Sequence, residues 1–308
     1  MILCIGEILA DLIGEEENGV MKYSRYPGGA PLNVAFGISY LDGNVGFIGS
    51  VGDDIIGHYL LDFVKNNSKI QYQDIYLDKK HNTTLAFVDI DSNGERHFAF
   101  NRFESADYKV SYDRLNVIKD FDIIHLGSLM LREEEGRLLA DKVLEITKKN
   151  NKKFSFDVNF RTDIYDSKEE AIKIYKKYIE EANILKISED EVEFFTGEND
   201  PIEGLKKLVR KDQLVFLSLG SKGSYCKYND IEVFVPAIKI KPLDTTGAGD
   251  AFYACVLKMI DEVSFDKINR NILEIILKRA NICGRLACSK KGAISALPTK
   301  KELDQYYN

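Results

Sequence analysis

"DTTGAGDAFYACV", residues 244–256, sets two glycines, an alanine and an aspartate directly ahead of an apolar helical pattern. Phe252, Cys255, Val256 and Met259 recur at spacings of three and four, which is one buried helix face. The spacing predicts a helix that begins near Gly247 and carries one carboxylate, Asp250, in its first turn. Two readings of that start stand side by side. A helix N-terminus favours an acidic residue because the macrodipole and free N–H groups stabilise negative charge, and glycines mark tight turns. Alternatively, the small residues leave the first N–H groups bare for an outside anion such as a phosphate. Asp250 would then stand beside it as a proton acceptor.

Outward from this loop, short apolar runs alternate with amphipathic stretches. Runs 2–5, 45–51, 123–126, 154–156, 184–187 and 214–217 read as buried strands. Helices are expected over 31–41, 134–149, 167–179 and 266–289, with Ser167 and Glu170 forming a capping box and Thr299 and Glu302 starting a last helix. Strand–helix alternation implies right-handed crossovers and a mostly parallel sheet covered on both sides, the α/β class. Two segments break the rhythm. Residues 83–90 and 96–103 alternate with period two around "DSNGE" (91–95), a hairpin signal. Residues 11–27 also lack a helical pattern, so the two segments together predict a small separate sheet. Phe98, Phe100 and Arg102 would share one face of it, against either a ligand or another subunit.

Length and composition narrow the function classes. The 308 residues suit one large α/β domain, and 44% hydrophobic content is enough for a full core. The net charge of −7 and the lack of a basic stripe argue against nucleic acid as a partner. Residues 1–14 are apolar but carry Glu7 and Asp11 and no basic leader, so they read as a strand rather than a signal peptide. No apolar run reaches the ~18 residues of a membrane span. Five scattered cysteines with no CxxC pair read as buried thiols in a reducing cytoplasm.

Four further stretches carry candidate chemistry. "YPGGAPLNVAFG", residues 26–37, places Gly28 and Gly29 before a helix whose first turn presents Asn33; backbone can approach a ligand closely at glycines. "FDVNFR", residues 156–161, ends a strand with Asp157, Asn159 and Arg161 at alternate positions, where ligands of parallel sheets gather; a capped strand end with a surface ion pair is the plain alternative. "ISEDEVEFFTG", residues 187–197, is a capping box of Ser188 and Glu191, or an acidic helix start able to orient hydrated magnesium. "LSLGSKGSYCKY", residues 217–228, is a strand and a glycine hairpin over which a nucleotide could lie. Neither a dinucleotide fingerprint nor a Walker motif occurs.

Together, the glycine region at 28–57 and DTTGAGDAF at 244–252 resemble the PfkB/ribokinase-like carbohydrate kinases, over nearly the whole chain. GEILADLI (6–13), FAFNRFESAD (98–107), DVNFR (157–161) and ANICGRLACSKKGAISALP (280–298) look most like fructokinases within that family. The resemblance implies a three-layer α/β/α sandwich, residues 1–308, with a small β-sheet lid from segments near 11–27 and 83–103 that often makes a homodimer contact. It implies ATP and Mg²⁺ as cofactors. Gly247, Ala248 and Gly249 match the anion hole and Asp250 the catalytic base. Asp11, Gly29 and Asn33 match sugar-hydroxyl contacts, and Phe100, Arg102 and Arg161 substrate contacts. Ser188, Ser218, Gly220, Gly223 and Asn281 fall where the nucleotide lies. Glu191 would organise Mg²⁺ through water. Carbonyls around Asp244, Thr246 and Gly292 would bind a monovalent cation such as K⁺.

One departure stands out. The family often has Asn-x-x-Glu where this chain has Ser188-Glu189-Asp190-Glu191, so the phosphate contact made by that Asn is replaced only in part. The expected activity is ATP-dependent phosphorylation of a sugar primary hydroxyl, with D-fructose as substrate. The alternatives are 2-keto-3-deoxygluconate kinase, ribokinase or nucleoside kinase, and, in another class, a catalytically inactive sugar or nucleotide sensor.

Overall fold

A computed structural model describes residues 1–90 and 96–306. In chain order the strands are β1 (Ile2–Ile5), β2 (Leu9–Glu17), β3 (Val20–Gly28), β4 (Val45–Gly52), β5 (Tyr72–Asp78), β6 (Leu85–Ile90), β7 (Arg96–Asn101), β8 (Ile123–Leu126), β9 (Lys153–Asp157), β10 (Ile184–Ser188), β11 (Leu214–Ser218), β12 (Gly223–Tyr228) and β13 (Ile231–Pro236). The helices are α1 (Ala30–Tyr40), α2 (Ile55–Asn67), α3 (Glu134–Lys149), α4 (Lys168–Glu181), α5 (Glu189–Thr196), α6 (Pro201–Leu208), α7 (Ala248–Asp261), α8 (Arg270–Ala287) and α9 (Lys300–Asp304).

The large sheet runs β13-β12-β11-β10-β9-β8-β1-β4-β5. Its pairings are parallel from β11 through β5, and β12 and β13 close one edge antiparallel. Side chains of a strand alternate between faces, and β1 shows the consequence. Ile2 and Cys4 pack with Phe36 of α1, Tyr253 and Val256 of α7 and Leu273 and Leu277 of α8. Leu3 and Ile5 pack on the other side with Leu139 and Val143 of α3 and Tyr175 and Ile179 of α4. Two separate cores on one sheet make the three-layer α/β/α arrangement. Each buried Leu, Ile or Phe contributes roughly 1.5–3 kcal/mol through burial.

The second sheet has the order β3-β2-β6-β7, so the early segment and the hairpin do pair with each other. The expected turn at 91–95 and the side chain of Phe98 lie outside the described residues. Four elements were not foreseen. One is helix α6, started by Asp200, whose side chain accepts from the N–H groups of Ile202 and Glu203. Helix α2 has its start fixed by Asp54, whose side chain accepts from the N–H groups of Ile56 and Gly57. Strand β5, reading YQDIYLD, is a polar edge strand without the apolar run of its neighbours. Strand β13 completes the antiparallel edge. The last long helix starts at Arg270 rather than 266, because Asn269 caps it and a short 3₁₀ turn occupies Phe265–Lys267. At α4 only half of the capping box forms: Ser167 Oγ accepts from Glu170 N–H but itself donates to Glu169. Among the described residues no helix is long and apolar enough to cross a membrane.

Candidate active site

Helix α7 starts where the glycines require it. Gly247 caps it in the left-handed region (φ 74°), and a Cβ there would sit 3.0 Å from the Ala293 backbone. The first helical bond is Ala251 N–H to the Gly247 carbonyl, 2.8 Å. The N–H groups of Gly249 and Asp250 therefore lie upstream of the ladder, as the first-turn donors of any helix do. Ala248 N–H donates to the Thr245 carbonyl at 3.2 Å. Of the expected anion-hole triplet, Gly247 and Gly249 line the adjoining cavity and Ala248 does not. That is a correction: the turn that positions the helix uses the Ala248 donor itself.

The cavity measures about 850 Å³ and opens at the carboxyl ends of the parallel strands. It brings together Asp11, Gly29, Asn33, Phe100, Arg161, Asp244, Thr246, Gly247, Gly249 and Asp250 from separate stretches of the chain. Asn33 Nδ2 donates to Asp250 Oδ2 at 2.8 Å, which ties α1 to α7. Burial raises the pKa of Asp250, while the Asn33 hydrogen bond and the charges of Lys186 and Arg161 hold it down. The carboxylate is thus more basic than in water and a better proton acceptor. Gly29, at φ 113°, brings the chain so close to the Glu7 carbonyl that a Cβ would stand 2.3 Å from its oxygen.

Two residues of this wall hold buried acceptor atoms with no hydrogen-bond partner among the described residues, Asn33 Oδ1 and Glu7 Oε2. Such atoms are costly to leave unpaired, and a ligand rich in hydroxyl groups supplies donors. Burial pushes the Glu7 carboxyl up to about 7, with Asp107 adding to the rise and Arg102 opposing it. The native state then holds a proton that the unfolded chain releases near its ordinary value. Stability is full below about pH 4.5, falls as pH rises towards 7, and stays low above it. Glu7→Gln should therefore raise Tm relative to wild type at pH 8 more than at pH 5. The shift corresponds to about 3 kcal/mol of differential stability. An equal Tm difference at the two pH values would show that Glu7 is ionised throughout.

Several expected residues lie elsewhere. Arg102 does not line the cavity: Nε and Nη2 donate to Asp107 Oδ2 (3.2 and 2.7 Å) and Nη1 to the Leu129 carbonyl (3.2 Å). Strand β7 ends at Asn101, so the alternation that was to place Arg102 beside Phe100 no longer applies. Glu191 does not line it either; its oxygens accept from the N–H groups of Phe160 and Ser188, each at 2.7 Å. Gly292 N–H and Thr246 N–H both donate to Asp244, closing that loop around a buried carboxylate. Asp157 does not line the cavity with Asn159 and Arg161 but pairs with Lys186; the strand alternation ends there, since β9 stops at Asp157 and Asn159 takes a positive φ of 34°.

Ser188 and Ser218 end β10 and β11 in register, with Gly220 and Gly223 in the turn that follows. Asn281 lines a second cavity of about 480 Å³ with Val235, Ile238, Lys278 and Tyr306. The segment after β13 serves both cavities, Ile238 in the second and 242–247 in the first. Among the described residues no cluster of three His, Cys, Asp or Glu side chains could hold a metal.

Asn159, read from the strand end, lines the cavity, as do two residues that the sequence reading passed over, Glu7 and Lys186. The last had a signal. A lysine inside ILKIS, an otherwise apolar strand, needs a buried partner, and the strand end FDVNFR supplied one. Lys186 Nζ lies 2.8 and 2.9 Å from the two oxygens of Asp157, its register partner on β9.

The family described as pfkB family carbohydrate kinase matches residues 1–300. Fructokinase-1 of Zea mays is 36% identical over 318 aligned positions, covering 99% of this chain and 97% of that protein. Among solved structures, a fructokinase double mutant of Vibrio cholerae with fructose, ADP and potassium ion bound superposes with a TM-score of 0.87 at 29% identity, covering 100% and 98% of the two chains. A fructokinase of Xylella fastidiosa with bound ATP gives a TM-score of 0.87 at 25% identity, covering 99% and 97%.

Proposed function

The chain belongs to the pfkB family of carbohydrate kinases, and from that premise we propose that it transfers the γ-phosphoryl group of ATP to D-fructose, giving fructose 6-phosphate. The observation that carries this is the half-buried Asp250 carboxylate in the first turn of α7, hydrogen-bonded to Asn33 in the cavity of about 850 Å³. Asp11, Gly29, Asn33, Phe100 and Arg161 hold the sugar. Its primary hydroxyl attacks the γ-phosphorus in line, the O–P bond forms as the bond to ADP breaks, and the hydroxyl proton passes to Asp250. N–H groups at Gly247 and Gly249 face the charge that develops. Such transfer is chiefly positioning and electrostatics. Nucleotide phosphates run past Ser188, Ser218, Gly220 and Gly223 towards the cavity of Asn281. Bound Mg²⁺ supplies charge neutralisation of the phosphates. The Asp244–Thr246–Gly292 loop, drawn around the Asp244 carboxylate, is assigned as the site for K⁺; a fructokinase structure with potassium ion bound is consistent with use of such an ion.

Fructose is favoured over a sugar acid by the similarity to fructokinases. Arg102 is engaged with Asp107, but Arg161 lines the cavity, so the arginines alone do not exclude an acid. An inactive sensor could lose its base, and Asp250 is intact. A panel of fructose, ribose and 2-keto-3-deoxygluconate with ATP and Mg²⁺, read by ADP release, tests the assignment. Fructose should have the highest kcat/KM. Preference for the acid would overturn the substrate and leave the kinase standing.

The small sheet is assigned as a lid over the sugar and as the homodimer contact of a cytoplasmic enzyme. Val20, Met21, Tyr23 and Tyr26 of β3 are exposed, and Met21 and Tyr23 share one face of the strand, apolar surface suited to a second copy. Closure excludes water and limits ATP hydrolysis without sugar. Amide exchange across 83–90 and 96–103 should slow when fructose binds. Unchanged exchange at saturating fructose would leave the sheet a subunit contact only.

A further inference from the structure

We propose that Lys186 is a further catalytic residue of the transfer site, its ammonium donating to the γ-phosphoryl group while Asp157 holds it in place. This rests on reading the cavity as a kinase site. Lys186 projects from β10 into the cavity and is almost wholly buried. A Cβ built on Gly249 would lie 3.4 Å from its Nζ and 3.6 Å from its Cε, so the ammonium sits against the first turn of α7, beside the N–H groups that would cradle a phosphate.

A purely structural role explains the pair poorly. A buried ion pair recovers its desolvation cost only with difficulty, and apolar replacements of similar volume are often as stable. The cation also has capacity left. An ammonium carries three N–H donors; Asp157 takes two, and no third acceptor lies within hydrogen-bond distance among the described residues. The charges around it point the same way. Asp157, Glu191 and Asp250 all raise the pKa of Lys186 against burial, so it stays protonated and is not the proton donor. The reaction brings a phosphoryl anion next to Asp250, and two adjacent anions repel. Lys186 and Arg161 are the cations that act on Asp250, and Lys186 is the one seated against Gly249. In the transfer no proton leaves Lys186. The sugar hydroxyl loses its proton to Asp250, the O–P bond forms, the bond to the ADP oxygen breaks, and the ammonium only follows the phosphoryl oxygens.

The test compares wild type, Lys186→Met and the double variant Lys186→Met/Asp157→Leu, which removes both charges and leaves neither unpaired. The double variant should regain the melting temperature that the single one loses. Both should lower kcat on the order of 10²-fold, the usual effect of removing one such donor, with fructose KM within about threefold, because a donor to the moving phosphoryl group adds little to ground-state sugar binding. A second readout uses ADP with aluminium fluoride and fructose, which stands in for the planar phosphoryl group. Fluoride should tighten ADP binding to wild type and not to either variant, with binding of ADP alone unchanged. A double variant that turns over within threefold of wild type, or that keeps the fluoride-dependent tightening, would overturn the proposal and leave the kinase assignment intact. Wild-type protein without sugar-dependent turnover would sink both.

Discussion

Asp250→Asn should lower kcat on the order of 10²-fold or more with ATP and fructose saturating, and should leave fructose KM nearly unchanged. The substitution conserves shape and one oxygen, so the bond from Asn33 Nδ2, 2.8 Å in the wild type, can persist and with it the contact between α1 and α7. What disappears is the basic lone pair at the end of the hydroxyl's proton path. The pH profile separates this loss from a general distortion. Burial raises the Asp250 pKa, so wild-type kcat should fall on the acid side as the base takes up a proton before the sugar can deliver one. In Asp250→Asn that acid limb should vanish, because nothing remains there to titrate. Turnover within threefold of wild type, or an unchanged acid limb, would remove Asp250 from the role of base.

Much of the fold was legible because its strands are buried on both faces. β1, β8, α3 and the start of α7 fall where apolar runs and spacing put them. Of what escaped, β5 is a polar edge strand, whereas α2 carries a legible pattern that the reading passed over, Ile56, Leu60, Phe63 and Val64 at helical spacing after the Asp54 cap. The candidate site was legible where glycines and polar residues cluster in sequence. It failed where function depends on partners far apart in the chain. Lys186 reads as an anomaly until β9 and β10 are in register, and only then does it meet Asp157. Arg102 reads as sharing a substrate-facing side with Phe100 because period-two alternation was carried one residue past the end of β7. Glu191 reads as a metal-water ligand, yet its carboxylate joins the end of β10 to the segment after β9. Pattern gives a residue's direction only while the element lasts.

Arg102 is where that lesson changes an expected result. As a substrate contact, Arg102→Gln would chiefly weaken sugar binding, steeply for an acid substrate. As the structure has it, the guanidinium and Asp107 are both buried, and Asp107 also accepts from Thr84 Oγ1 at 2.9 Å and Ser105 Oγ at 2.6 Å. The cluster joins the end of β7 to β6's entry at Thr84 and, through the Leu129 carbonyl, to the segment after β8. Removing the cation leaves a buried carboxylate with two neutral donors, and breaking such a pair costs about 3–5 kcal/mol. Arg102→Gln should lose stability of that order in urea unfolding at pH 7. The Arg102 charge and the Thr84 and Ser105 donors hold the Asp107 pKa below its ordinary value against burial. The stability that the wild-type pair contributes is therefore full above about pH 4 and is lost as pH falls through the lowered native pKa of Asp107. A double variant, Arg102→Met/Asp107→Leu, should recover much of the loss. Where Arg102→Gln remains folded, kcat/KM for fructose should fall by no more than about tenfold, because Phe100 and Leu129, which do line the cavity, are displaced only indirectly. A loss under 1 kcal/mol joined to a hundredfold rise in KM would mean that the guanidinium leaves Asp107 and reaches the sugar, restoring the role read from the sequence.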